Sequence, residues 1–231
     1  MAADSRSDEP GGSYQLTRER FDQPSAAALY ATRHGGHARD RREQACIERA
    51  LESVPRGARV LDLPCGAGRL APMLVRMGFD LTEADNSPHM VEQAQSAWRQ
   101  TCADEAQDES GVKFEVRDVM RTGYPDGAFD AVICNRLLHH FVESSTRVAA
   151  LRELARITRG ALIVSFFNSF AYDAMTFRLK NWLRGRVPHD RIPIAMSEFL
   201  VDAAAAGLTL ERAFPTRWGI SPQWYVRLRR R

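Results

Sequence analysis

No run in the chain approaches the ~18 consecutive apolar residues that a membrane-spanning helix needs. The first thirteen residues, MAADSRSDEPGGS, hold no strong apolar run either. That argues against a secretory signal and predicts a disordered segment 1–13 ahead of a single domain over 14–231. Cysteine is scarce. Cys46, Cys65, Cys102 and Cys134 form no CxxC pair, and none stands at a zinc-like spacing from a histidine. The expectation is therefore no metal site, reduced thiols and a cytoplasmic protein. No segment repeats. Neither sign of charge dominates, since the formal net charge is only +3, yet its placement is uneven. From Ala171 onward eleven Lys or Arg stand against five Asp or Glu, a net of +6, which leaves −3 for the first 170 residues. A basic end favours an anionic partner or is simply solvated.

What is present is an alternation of strand and helix signals. Arg59–Leu63, Phe79–Ala84, Val112–Arg117, Phe129–Cys134 and the apolar run Ala161–Phe167 read as five strands. Helices are predicted over Leu70–Met77, from Ser87-Pro88 to about Arg99, and over Ser144–Thr158. The polar stretch Thr101–Gly111 reads as a loop or frayed helix end. Later the rhythm changes. An amphipathic helix over Tyr172–Arg184 is inserted after the fifth strand, a helix follows over Ser197–Ala206, and Leu208–Ala213 and Trp224–Leu228 form a terminal strand pair. Ahead of the first strand, Ala26–Leu51 is mostly helical with a break at Gly35-Gly36. The pattern predicts a doubly wound, mainly parallel α/β sheet, whose ligands bind outside the carboxyl ends of the strands.

Those ends carry the informative residues. Asp62 closes the first strand and Leu63-Pro64-Cys65-Gly66-Ala67-Gly68 follows, glycines that let backbone turn tightly and approach a ligand. Asp85 closes the second strand, seventeen residues after Gly68, where a carboxylate can accept hydrogen bonds from both ribose hydroxyls of a nucleoside. Its competing role is a helix cap, although Ser87 already supplies one. Asp118 and Val119 follow the third strand, an acid and an apolar residue suited to an adenine edge and face. Asn135 follows the fourth, ahead of His139 and His140.

With these motifs in hand, VLDLPCGAG, LTEADNSPHMVEQA, FEVRDV, PDGAFDAVICNRLLHHF and SEFLVDAAAAGL resemble the successive motifs of class I S-adenosylmethionine-dependent methyltransferases, from about Arg59 to the C-terminus. The resemblance implies a Rossmann-like sheet of seven strands, mostly parallel with the last antiparallel. It implies S-adenosyl-L-methionine as co-substrate and S-adenosyl-L-homocysteine as product. It places Asp62 near the methionine amino group, with Leu63, Pro64, Gly66 and Gly68 bordering the cofactor. Asp85 would hold the ribose, Asn86 and Met90 would lie beside the adenine, Asp118 would take its amino group with Val119 next to it, and Asn135 would lie under the methionine portion. Pro64 departs from the family, which most often has glycine there. Proline has fixed φ and no N–H, so the loop needs neither positive φ nor a donor at that place.

Methyl transfer asks mainly for alignment of a nucleophile and, for a hydroxyl or amine, a base. His139 and His140 are the candidates, with His34 and His37 behind them. A lid over 14–57 is expected, in which Tyr30 and Arg33 lie one helical turn apart and Arg33 reaches the cofactor carboxylate. The inserted segment 171–191 is expected to cap a substrate pocket; plain packing, or contact of 171–186 with an anionic membrane or glycolipid, are its other readings. The acceptor is expected to be a small molecule methylated at oxygen or nitrogen. Three alternatives compete. Gly66–Ala71 satisfies the G-x-G-x-x-A of nicotinamide dehydrogenases, but Asp62 puts a charge inside the first strand's end, Asp118 and Asn135 would go unexplained, and too little chain is expected to remain for a separate substrate domain. A non-catalytic binding protein could keep the same fold. A nucleic-acid methyltransferase is disfavoured by the lack of an Asn-Pro-Pro-aromatic signature and of an RNA-binding module.

Overall fold

The computed structural model describes residues 12–23, 38–105, 111–183, 185 and 192–231. Helices α1 (Gly12–Phe21) and α2 (Ala38–Leu51) precede β1 (Arg59–Asp62), α3 (Ala71–Arg76), β2 (Asp80–Asp85), α4 (Pro88–Glu105) and β3 (Val112–Val116). Then come β4 (Phe129–Cys134), a 3₁₀ turn over Leu138–His140, α5 (Ser144–Ile157) and β5 (Thr158–Phe167). The chain ends with α6 (Tyr172–Leu183), α7 (Met196–Ala205), β6 (Leu208–Pro215) and β7 (Gln223–Arg230).

The strands form one sheet in the order β3-β2-β1-β4-β5-β7-β6. β1 through β5 pair in parallel, while β7 runs antiparallel to both β5 and β6. This is the expected seven-stranded, doubly wound sheet with its last strand reversed. Apolar layers cover both faces, as parallel sheets require. One gathers Leu61, Val132, Leu162 and Val164 with Leu151 and Leu154 of α5 and Phe199 of α7. The other gathers Val60, Leu81, Ile133 and Ile163 with Ile47 and Leu51 of α2 and Trp98 of α4. Among the described residues no helix is long and apolar enough to cross a membrane.

Three boundaries differ from the sequence expectation. Helix α1 begins at Gly12, inside the segment expected to be disordered, and Ser13 is buried where its hydroxyl bonds Glu143. Helix α4 runs past its expected end near Arg99 to Glu105, into the stretch read as a loop or frayed helix end, helped by the Gln100–Asp104 side-chain bond of 2.8 Å one turn apart. Thr158, expected to end a helix, instead opens β5 three residues before the apolar run. Gly160 makes this possible, since a Cβ there would sit 2.2 Å from the Asp130 carbonyl oxygen on β4.

A buried ion pair locks α5 to α7. Arg147, 1% exposed, donates to Asp202 at 2.6 Å, to Glu198 at 2.8 Å and to the carbonyls of Phe141 and Val142 at 3.1 and 2.8 Å. The Ser144 hydroxyl donates to the other oxygen of Asp202. Arg147→Met leaves Asp202 charged and buried without its cation, so it is expected to cost about 3–5 kcal/mol in urea unfolding. Arg147→Met with Asp202→Leu removes both charges and is expected to recover most of that loss.

Candidate functional site

A cavity of about 460 Å³ opens at the carboxyl ends of the parallel strands, within the range of sites for small ligands. Leu63, Pro64 and Gly66 after β1 line it, with Asp85, Asn86 and Met90 after β2 and Arg117 and Val119 after β3. Asn135, Arg136 and Leu137 after β4 complete this floor. The cavity then continues past His139, His140 and Phe167 to Asp173, Ala174 and Phe177 of α6 and to Gln223 of β7. Tyr14, Arg18 and Phe21 of α1 form a further wall.

Asp85 is the pivot of the acidic end. One carboxylate oxygen accepts the Gly66 amide at 3.0 Å and the other accepts the Ser87 amide at 3.0 Å. Burial pushes its pKa up to about 6, and the backbone bonds from Ser87, Gly66 and Asn86 oppose that rise. An ionised carboxylate has about four acceptor positions, so these amides leave capacity on the cavity side for ligand hydroxyls. Ser87 also caps α4, its hydroxyl accepting the Met90 amide at 3.4 Å. Asp85 therefore serves the start of the helix and the cavity together.

Asp62, Gly68 and Asp118 do not line the cavity. Asp62 is 1% exposed with Oδ1 unbonded, and burial holds its carboxyl well above the usual range, opposed by nearby Arg69. Its neighbour Glu83 is fully buried and shifted the same way, by burial and then by Asp62. Gly68, at φ +73°, fits against α4, where a Cβ would lie 3.0 Å from the Ala94 Cβ and 3.1 Å from its Cα. Asp118 accepts the Tyr14 hydroxyl, which ties α1 to the end of β3. Burial, then the Asp118 carboxylate, push the Tyr14 phenol up.

The floor after β4 is a polar network. Asn135 Oδ1 accepts the Tyr225 hydroxyl at 2.9 Å and the Ser165 hydroxyl at 3.3 Å. Arg136 stands at φ +58°, a backbone region costly for a residue with a Cβ. It is held there by its amide on Ser165 at 2.7 Å and its guanidinium on Glu43 at 2.6 Å. Glu43, fully buried on α2, also meets Arg69 at 3.2 Å and the Tyr225 hydroxyl at 3.3 Å. Glu43, Arg136, Tyr225 and Tyr14 escaped the sequence reading. No local pattern marks them, because their partners lie far away along the chain.

His139 is 5% exposed and stacks on Phe167, ring centroids 4.1 Å apart and planes 1° from parallel. His140 lies 4.2 Å from His139 and edge-on to Phe21 at 5.4 Å. Both reach the cavity. Tyr30, Arg33, His34 and His37 lie outside the described residues.

The strand order separates the site from the nicotinamide alternative, since dinucleotide folds continue 3-2-1-4-5-6 in parallel, whereas β7 here enters antiparallel between β5 and β6. Residues 60–160 match the family described as methyltransferase domain. A ubiquinone biosynthesis O-methyltransferase of Xanthomonas axonopodis pv. citri is 32% identical over 117 residues, 49% of this chain and 45% of that protein. The chain thus matches about half the length of such curated relatives. The magnesium protoporphyrin IX methyltransferase of Synechocystis PCC 6803, solved with bound SAH, superposes with a TM-score of 0.73 at 18% identity, over 95% of this chain and 100% of that one. A mitomycin 7-O-methyltransferase superposes with a TM-score of 0.70 at 22% identity, over 96% of this chain and 61% of that one. Residues 60–160 thus carry a methyltransferase domain, and the sheet as a whole has the fold of these solved S-adenosylmethionine-dependent methyltransferases.

Proposed function

We propose that this protein transfers a methyl group from S-adenosylmethionine to an oxygen of a small, largely apolar acceptor. The observation that carries this reading is the single cavity that joins an acidic end at Asp85 to an aromatic end at His139, His140 and Phe167. Oxygen rather than nitrogen is favoured by the relatives, two of which are named O-methyltransferases. The four cysteines are buried and form no disulfide, which suits a reducing compartment, and we assign the protein to the cytoplasm.

The residues present fit the co-substrate. When bound, S-adenosylmethionine supplies a methyl group already activated by its sulfonium. Asp85 accepts from the ribose hydroxyls, and Asn86, Met90 and Val119 enclose the base. Asp118, held outside the cavity lining by the Tyr14 hydroxyl and the Met120 amide, is assigned to the base's edge. Leu63, Pro64, Gly66 and Asn135 border the amino-acid portion, and Arg33 is retained as the partner of its carboxylate. Asp62 acts from behind the loop, reaching the amino group through water, and Gly68 acts by seating the loop on α4. The helix α6 caps the acceptor through Asp173, Ala174 and Phe177.

The two histidines divide the remaining work. His139, buried on Phe167, shapes the wall against which a flat acceptor rests. His140, less buried, takes the proton from the acceptor hydroxyl as its oxygen attacks.

Isothermal titration with S-adenosylhomocysteine tests the binding half. Asp85→Ala and Asp118→Ala are each expected to weaken it by tenfold or more, about 1.4 kcal/mol at least, and unchanged binding in both would end the assignment. The affinity has a pH sign. Asp85 accepts hydrogen bonds best when ionised, so binding is expected to hold above about 6 and to fall as pH drops through that value. Asp85→Asn is expected to flatten this profile, which separates Asp85 from the other buried acids. For the chemical half, His140→Gln is expected to lower kcat by about a hundredfold or more with S-adenosylhomocysteine affinity unchanged. An unaltered kcat would assign the proton to another group.

A further inference from the structure

Helix α6 is amphipathic in the reverse sense. An apolar stripe on a surface helix ordinarily faces the core. Here Ala174 is the buried residue, and Asp173 and Phe177 turn toward the cavity. Tyr172, Met175, Leu179, Trp182 and Leu183, spaced to share one helical face, are 64%, 58%, 54%, 75% and 69% exposed. Arg178 and Lys180 fall on opposite flanks of that stripe. The surface extends beyond the helix. Phe170 is 74% exposed just ahead of α6, and Trp218 is 80% exposed in the loop between β6 and β7. That loop is bound to the first turn of α6, the Tyr172 amide donating to Gly219 at 3.0 Å and the Asp173 amide to Ile220 at 3.1 Å.

We propose that this surface docks the protein on an anionic lipid bilayer, with α6 lying in the plane of the interface. Three features favour lipid over a protein partner. Tyr172, Trp182 and Trp218 have apolar bodies with a polar tip, the side chains that settle at headgroup level. Arg178, Lys180 and Arg217 stand against Asp173 alone in the segments 170–183 and 216–220, and Asp173, itself exposed, sits at the rim of the cavity. Long basic side chains flanking an apolar stripe can lie along it and raise their charge to phosphate oxygens. Among the described residues no helix is long and apolar enough to cross a membrane, and the proposed contact lies in the plane of the interface. Because the inner face of α6 walls the cavity, docking sets the acceptor end of the site against the bilayer. The docking itself does not depend on the proposed reaction. The delivery of an apolar acceptor from the lipid does.

Co-sedimentation of the full chain with vesicles tests it. One set contains phosphatidylcholine alone, the other phosphatidylcholine and phosphatidylglycerol in a two-to-one ratio. The protein is expected to pellet with the anionic vesicles and not the neutral ones, to release at high salt, and to shift its tryptophan emission to the blue on binding. W182S with W218S, and separately R178E with K180E, are expected to reduce the bound fraction about tenfold at limiting lipid. All four substitutions should leave S-adenosylhomocysteine affinity unchanged, which certifies their fold and keeps this test apart from that of the reaction. Failure to bind anionic vesicles would overturn the proposal. So would binding that survives both pairs of substitutions, or a dimer in sedimentation velocity that the tryptophan substitutions abolish, since the stripe would then be a self-association face.

Discussion

The bond from the Gly66 amide to the Asp85 carboxylate, 3.0 Å long, joins the loop after β1 to the tip of β2, and the rest of the site is arranged around it. It works in both directions. The carboxylate fixes where the loop turns, and the loop amide keeps a 4%-exposed carboxylate from losing its charge outright. Burial alone would favour the neutral acid, while each backbone N–H aimed at the carboxylate favours the anion. The result is a group poised near pH 6, charged at neutrality and still short of partners on its open side. Gly68 completes the arrangement by letting the loop rest on Ala94 of α4, so the same few residues set both the ligand surface and the packing of the helix that follows β2.

Behind that bond the sheet concentrates carboxyls. Asp62 and Glu83 occupy paired positions on β1 and β2; burial raises both, with Asp85 adding to the rise at Asp62 and Asp62 to that at Glu83. Across the cavity the balance is different. Arg69 and Arg136 converge on Glu43, with Asp40 on Arg69 at 3.4 Å. A buried charge survives only with partners, and here two guanidiniums and a phenol serve one carboxylate. The strained backbone of Arg136 belongs to this network, since its amide and its guanidinium are both engaged. Strain of this kind persists where the surroundings over-determine it. The floor under the β4 end is therefore tied at several points, with Asn135 held by Tyr225 and Ser165.

The parts of this site that were legible in the sequence share one property: they lie next to an apolar run. Asp62, Asp85, Asp118 and Asn135 could be placed at strand tips because the strands announced themselves. Thr158 to Gly160 belong to β5 without joining its apolar run, so the start of that strand stayed hidden. Glu43 on α2 looks like any solvated helix glutamate until β7 brings Tyr225 to it, 182 residues away. Tyr14 was missed for the same reason, being bonded to Asp118 across 104 residues. The sequence also could not tell lining from support. Gly66 and Gly68 look alike in the motif, yet one meets the cavity and the other meets Ala94.

The two faces of α6 bear on what kind of acceptor the cavity serves. An inserted helix whose only task was to close a pocket would bury its large apolar residues on the core and turn charge to water. Here Ala174 makes the buried contact, Phe177 lines the cavity, and Tyr172, Met175, Leu179, Trp182 and Leu183 point out. Leaving such side chains in water forgoes roughly 25 cal/mol for every Å² of apolar surface that burial would have removed, a cost with no return in a protein that stays free in solution. With the stripe docked on lipid as proposed, that surface is covered, and the covering phase can also hold the acceptor. An apolar acceptor moving from lipid past α6 to the ring of His139 exchanges one apolar environment for another and need not be hydrated on the way. In the proposed reading the stack of His139 on Phe167 then offers it a flat wall beside the Asp85 end assigned to the adenosyl group. A polar acceptor would gain nothing from either the outward stripe or the aromatic wall, so the two features together favour a lipophilic, flat hydroxyl compound over a sugar, an amino acid or a nucleotide.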